Sequence, residues 1–224
     1  MQRVTRGLGL LGSLVGSALT LLGALGGSAL KHIGWRQPLL AIAALAAGAC
    51  QTVRTAVREA VLNDVHSRLN PTTVASVHFP ESVAELAELV RVAKRDSRAI
   101  SLSGGRHAMG GQQFGTGTMH LSLSQMNDVL FFDSERGIVR VEAGIEWPQL
   151  VEYLRMQQTG AVPGWGITQK QTGADRLSVG GALSANAHGR GLRFRPIIQD
   201  VEAFTLVNAD GDILTVSRTQ HPEL

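Results

Sequence analysis

Residues 99–112 read Ala99-Ile100-Ser101-Leu102-Ser103-Gly104-Gly105-Arg106-His107-Ala108-Met109-Gly110-Gly111-Gln112, an apolar run ending in a glycine-rich loop with one histidine. Ala99 to Ser103 is expected to be a short buried strand. A strand followed by a glycine loop is where backbone N–H groups commonly meet phosphate, because glycine has no Cβ to hold a ligand away from the chain. Upstream, Pro80-Glu81-Ser82-Val83 opens a helix with proline and an acid in its first turn. Val83, Leu86, Leu89, Val90 and Ala93 then form an apolar stripe at helical spacing, predicting a helix that ends near Arg95.

Downstream, Met119 to Leu123 and Ile138 to Ala143 are expected strands, and Trp147-Pro148 starts a helix running through Met156. Gly160 to Gly166 is a loop by its glycine and proline content. Leu177 to Ala187 (LSVGGALSANA) reads as a glycine turn leading into a short helix packed by small residues. Val201 to Val207 and Ile213 to Val216 flank Asn208-Ala209-Asp210-Gly211-Asp212 and predict an antiparallel hairpin. A dinucleotide with two phosphates needs several convergent donors. Gly104, Gly105, Gly180 and Gly181 are candidates for close approach, with Ser103 and Ser184 adding hydroxyls and Asn186 an amide. Each glycine taken alone reads equally well as a turn former.

The order of these pieces resembles the FAD-binding domain of the vanillyl-alcohol oxidase and p-cresol methylhydroxylase family. The segments carrying the resemblance are Ser103 to Gln112, Val141-Glu142-Ala143-Gly144, Pro163-Gly164, Val179 to Gly189 and the Asp210-Gly211 hairpin, within a stretch from about Leu69 to the C-terminus. The histidine loop with Gln112 is similar to cytokinin dehydrogenases, and Val179 to Gly189 resembles sugar-alcohol, aldonolactone and decaprenylphosphoryl-ribose oxidases.

The resemblance implies an α+β fold of two α/β subdomains with FAD as cofactor. It implies FAD contacts at Ser103, Gly104, Gly105, Arg106, His107, Ala108, Gly111, Gln112, Ala143, Gly144, Pro163, Gly164, Ser178, Val179, Gly180, Gly181, Ser184, Asn186, His188 and Gly189. In covalent members the histidine at the position of His107 bonds to the 8α-methyl of the isoalloxazine, and neutral imidazole is a competent nucleophile for that bond. Related loops place glycine before this histidine, where this chain has Arg106. His188 is a candidate for tuning the flavin or touching substrate, or a structural histidine. The implied activity is hydride transfer from an alcohol, or less readily an amine, to the flavin, which oxygen, a quinone or another acceptor reoxidises. In the family a second, substrate-facing domain follows. This sequence stops at Leu224, so that domain is expected to be absent or truncated; the alternative is a membrane-anchored flavin-binding module without independent activity.

Other readings are weaker. No Gly-x-Gly-x-x-Gly follows a first strand, which disfavours a Rossmann dinucleotide site. The net charge is +3, but residues 1–66 hold six cations against Glu59 and Asp64, a net +4, leaving −1 for the remainder. The basic character therefore flanks an apolar N-terminus and is no nucleic-acid face. Gly7 to Leu30 lacks any charge and is long enough to cross a bilayer as a helix. Pro38 to Ala49 before the single cysteine, Cys50, resembles a lipoprotein leader. Anchor, lipoprotein leader, leader with a later start and buried helical hairpin all remain open. Residues 1–62 are expected to be a hydrophobic extension, 63–224 the FAD-binding domain, and the location membrane-associated, at a bacterial inner membrane or its periplasmic face. His32, His66, His78, His120 and His221 lack partners at metal-ligand spacing and read as ordinary.

Overall fold

The computed structural model describes residues 9–11, 57–161, 163–171, 173–191 and 193–224. Strand β1, Gly9–Leu11, is followed by β2 (Val57–Leu62), β3 (Thr72–His78), helix α1 (Val83–Arg95), β4 (Ile100–Ser103), β5 (Met119–Ser122), β6 (Val129–Asp133), β7 (Ile138–Val141), α2 (Trp147–Gln157), α3 (Val179–Ser184), β8 (Ala203–Val207) and β9 (Ile213–Ser217). Three sheets result, in the strand orders β2-β3-β5-β4, β1-β7-β6 and β8-β9.

The first sheet carries the histidine loop. β4 and β3 both pair parallel with β5, Leu102 lying beside Leu121 and Ser76 beside Met119, while β2 closes the edge antiparallel to β3. Helix α1 begins where the Ser82 hydroxyl accepts the Glu85 N–H at 3.2 Å, satisfying one donor of the first turn. Its stripe covers the sheet: Leu89 and Ala93 are buried with Met119 and Leu121, and Leu86 and Val90 pack alongside. Arg91 donates to the Gly211 carbonyl at 2.6 Å and Lys94 pairs with Asp210, so the outer face of α1 holds the tip of the β8–β9 hairpin.

A second core unites β7, α2 and α3. Val139, Ile145, Trp147, Leu150, Leu154, Val179 and Ala182 are buried together, with Ile197 and Val201 from the segment leading to β8. Two cores, each between sheet and helix, give the mixed α/β organisation expected for two subdomains.

The structure differs from the sequence reading in three places. The first sheet begins at Val57: β2 pairs with β3 within the stretch expected to be an extension. Gly9–Leu11, inside the run read as a helix crossing a membrane, forms a strand parallel to β7, where it takes up edge backbone groups that would otherwise lack partners. The rest of that run, the second apolar run and Cys50 lie outside the described residues. Among the described residues no helix is long and apolar enough to cross a membrane. Strands β3 and β6 also stand where the sequence suggested no element.

Candidate functional site

The floor of the histidine loop is a polar chain buried behind β4. Thr118 Oγ1 donates to the Gly115 carbonyl at 2.7 Å, so in its 2.7 Å contact with Ser101 the Ser101 hydroxyl must be the donor. Ser101 Oγ then accepts from His120 Nδ1 at 2.8 Å, which leaves His120 Nε2 to accept from the Ser103 hydroxyl at 2.8 Å. His120 is thus held as the neutral Nδ1–H tautomer. Burial, helped by the charge of Arg106, pushes its pKa down to about 4. The Ser103 hydroxyl, expected to face phosphate, is engaged with His120 instead, and Ser103 is buried.

Beyond Ser103 the chain meets two segments remote in sequence. Gly105 N–H donates to Ser178 Oγ at 3.3 Å, the atom that also accepts from Gly181 N–H at 3.3 Å. A Cβ on Gly104 would stand 2.0 Å from Ser178 Oγ, and one on Gly105 2.5 Å from the Arg176 carbonyl. The 143–146 segment joins the same cluster: Val179 N–H donates to the Ile145 carbonyl and Gly180 N–H to the Ala143 carbonyl, each at 2.8 Å. A Cβ on Gly144 would overlap the Leu123 carbonyl at 1.8 Å. The absent Cβ atoms therefore let three chain segments touch, and the N–H groups of Gly105, Gly180 and Gly181 are engaged within the protein.

Free donors lie one step along the loop. Among the described residues no acceptor meets the backbone N–H groups of Arg106, His107 and Ala108. Arg106 adopts φ 56°, the left-handed region where glycine is favoured, and a residue turned this way directs successive N–H groups toward one side, an anion-binding concavity. Beside it opens a groove of about 410 Å³ lined by Gly104, Gly105, Ser124, Gly144, Glu146 and Arg176, among others. Arg176 Nη1 lies 3.5 Å from Glu146 Oε2, which offsets the carboxylate that would otherwise repel a phosphate. Gly104 and Gly105, at the start of the same loop, line this groove, which fits a flavin nucleotide with a diphosphate, while Arg106, His107 and Ala108 follow them in the chain and are not among its lining residues.

His107 is half-buried beside these donors. Burial and neighbouring His66 lower its pKa, opposed by the Arg176 carbonyl and Glu146, so its ring is neutral at physiological pH. His66 Nε2 lies 2.6 Å from His107 Nδ1, with the rings edge to face at a centroid distance of 4.6 Å. Sequence spacing gave no sign of this pair, whose members are 41 residues apart.

Other expected site residues have different surroundings. The Ser184 hydroxyl donates to the Gly180 carbonyl at 2.8 Å, so it is not a free donor. Asn186, at φ 43°, terminates α3 with its N–H on the Leu183 carbonyl. His188 is exposed, its Nδ1 3.0 Å from the Gly189 carbonyl, while Gly189 N–H donates to Gln169 Oε1 at 2.8 Å. Pro163 and Gly164 lie on the exposed loop after α2, Gly164 near Gln158, and are not among the residues lining the groove. Ala108 and Gln112 are exposed, and Gly111 at φ 72° packs on Asn70.

Comparison with known proteins decides the family. A model of the FAD binding domain matches residues 74–217. The chain belongs to this family of FAD-binding domains. Its cofactor is FAD, and the family is the p-cresol methylhydroxylase type inferred from the sequence motifs. L-gulonolactone oxidase of Mus musculus is 29% identical over 150 residues, covering 65% of this chain and 31% of that protein. The mitochondrial L-galactono-1,4-lactone dehydrogenase of Brassica oleracea is 32% identical over 146 residues, covering 65% of this chain and 23% of that protein. This FAD-binding domain also shares its fold with the carbohydrate oxidase of Microdochium nivale, at a TM-score of 0.61 and 23% identity, covering 68% of this chain and 32% of that one. The chain thus spans about a third or less of these relatives.

Proposed function

We propose that this chain is the flavin-holding part of an oxidoreductase that removes two electrons from a hydroxyl-bearing carbon of a sugar or sugar-lactone substrate. The observation that carries it is the convergence of the Gly104–Ala108 loop with the Ser178–Gly181 turn, 73 residues apart, beside a groove and a neutral imidazole. The substrate class is supported by the names of the relatives, a gulonolactone oxidase and a galactonolactone dehydrogenase. Bound FAD supplies the two-electron acceptor that takes hydride and passes electrons on to oxygen, a quinone or another acceptor.

In this reading the N–H groups of Arg106, His107 and Ala108 receive the diphosphate, and the packed segments at 143–146 and 176–181 hold them in place. His107 would stand at the isoalloxazine, its ring nitrogen bonding to the flavin 8α-carbon after that carbon gives up a proton; the flavin left two electrons reduced by this bond would be reoxidised by the same acceptor, oxygen or a quinone. The depressed pKa of His107 serves that role, because only the neutral ring has a lone pair to offer.

Visible spectra of the purified chain, before and after acid precipitation, test this reading. Flavin absorbance between about 350 and 500 nm that stays with the pellet, and leaves it in His107→Ala, is the expected result. A colourless chain that takes up no FAD contradicts the assignment, and flavin released entirely to the supernatant contradicts the covalent bond.

A further inference from the structure

The segment from Asn63 to Asn70 belongs to none of the glycine motifs, yet it is fastened to the histidine loop at several points. Val65 N–H donates to the Arg106 carbonyl at 3.0 Å, and Asn70 Nδ2 donates to the Met109 carbonyl at 2.6 Å. A Cβ on Gly111 would stand 2.8 Å from Asn70 Cβ, so the two segments are in contact there as well. Asp64 gives the segment its shape: Oδ1 accepts from the N–H groups of His66, Ser67 and Arg68, and Oδ2 from the Ser67 hydroxyl at 2.8 Å. Burial opposes the Asp64 charge, but the bonds from Ser67, Arg68 and His66 outweigh it and hold the carboxyl well below the usual carboxylate range.

This frame delivers His66 Nε2 to 2.6 Å from His107 Nδ1. Two ring nitrogens at that separation need one hydrogen between them, since two N–H groups would clash and two lone pairs would repel. The other edge of the His107 ring settles which nitrogen supplies it. The Arg176 carbonyl lies against the other edge of that ring: a Cβ built on Gly105 would touch both that oxygen, at 2.5 Å, and His107 Cδ2, at 3.0 Å, which puts the carbonyl toward the Cδ2–Nε2 edge. A carbonyl only accepts, so Nε2 carries the hydrogen; Nδ1 keeps its lone pair and receives N–H from His66.

We propose that His66 is a positioning residue for His107: with the Arg176 carbonyl it locks His107 in the Nε2–H tautomer, leaving Nδ1 as the nitrogen with a lone pair. His66 is exposed, so the partner covering that lone pair sits where it can turn toward solvent and uncover it. The use made of the lone pair rests on the reading of His107 as the flavin-side residue; the tautomer does not. The charged or titratable groups acting on His107 are His66 and Glu146, with Arg176 beside them paired to Glu146.

Two-bond ¹⁵N–¹H correlation spectra of the full chain, labelled at histidine and prepared both flavin-starved and flavin-loaded, read this directly. In the flavin-starved chain His107 is expected to give a single Nε2–H pattern between about pH 7.5 and 8.5. His66→Phe and His66→Ala should replace it with an averaged two-tautomer pattern and shift its titration midpoint upward, while His66→Gln, whose amide N–H reaches the same nitrogen, should restore the single pattern. The Nδ1–H pattern of buried His120 in the same spectra shows that a variant is folded, and His107 is compared with wild type in whichever of the Phe and Ala variants retains it. An Nδ1–H pattern for wild-type His107, or an Nε2–H pattern unchanged in the folded Phe or Ala variant, overturns the proposal. Colourless wild type with the Nε2–H pattern intact would count against the flavin assignment alone, and coloured protein without that pattern against His66 alone.

Discussion

Arg106 holds a backbone conformation, φ 56°, that costs an ordinary residue about 1–2 kcal/mol, at the loop position where related sequences carry glycine. Arg106→Gly is therefore expected to leave stability unchanged or raise it by up to about 1 kcal/mol, and Arg106→Val to lower it by about 1–2 kcal/mol, in urea unfolding. Gly105 is tighter still: Gly105→Ala drives a Cβ against the Arg176 backbone and should cost about 1–3 kcal/mol, with loss of FAD uptake. His120 sets a pH dependence. Its folded pKa, about 4, lies below the ordinary 6.5, so between these values the unfolded chain binds more protons than the folded one. Its contribution is complete above pH 6.5 and falls away as pH drops toward 4, by up to about 3 kcal/mol. Urea midpoints measured from about pH 7 to 4 should fall more steeply for wild type than for His120→Asn. At this scale the sequence singled out His107, a histidine inside a glycine loop after a strand. It hid His66 and the wiring of His120, whose partners lie 41 and 17–19 residues away and follow no periodicity.

Elements with a one-sided pattern were legible. Helix α1 has its apolar stripe in the sequence, which put Pro80 and an acid in the first turn and the end near Arg95; the structure gives Val83–Arg95, capped by Ser82. Removing the cap with Ser82→Ala should cost about 1 kcal/mol, visible as a lowered thermal midpoint with α1 otherwise intact. The β8–β9 hairpin was equally clear, because Asp210-Gly211 supplies a residue at φ 79° between two apolar runs. Strand β3, Thr72–His78, was not: Ser76, Val77 and His78 are buried in succession, so no alternation marks its end, and Ser76 Oγ pairs with His78 Nε2 at 3.0 Å inside while buried His78 Nδ1 has no partner among the described residues. Strand β6 was hidden for a different reason. Four apolar residues, Val129 to Phe132, run together across a register shift between Val129 and Phe131.

At the scale of the molecule, the two glycine stretches singled out in the sequence meet, with the N–H groups of Gly105, Gly180 and Gly181 engaged within the protein. The missing Cβ atoms of Gly104, Gly105, Gly144 and Gly180 allow chain-to-chain packing, and among the described residues the N–H groups at the left-handed turn, those of Arg106, His107 and Ala108, meet no acceptor. That division of labour predicts recognition through the diphosphate more than through the flavin ring. The most direct measurement is a fluorescence titration of His107→Ala, in which flavin must bind reversibly, with FAD and with FMN. Saturable FAD binding that is at least about tenfold tighter than FMN binding, a difference of about 1.4 kcal/mol, is the expected result. Equal affinity for the two, or no binding of FAD by a folded protein, would contradict the account.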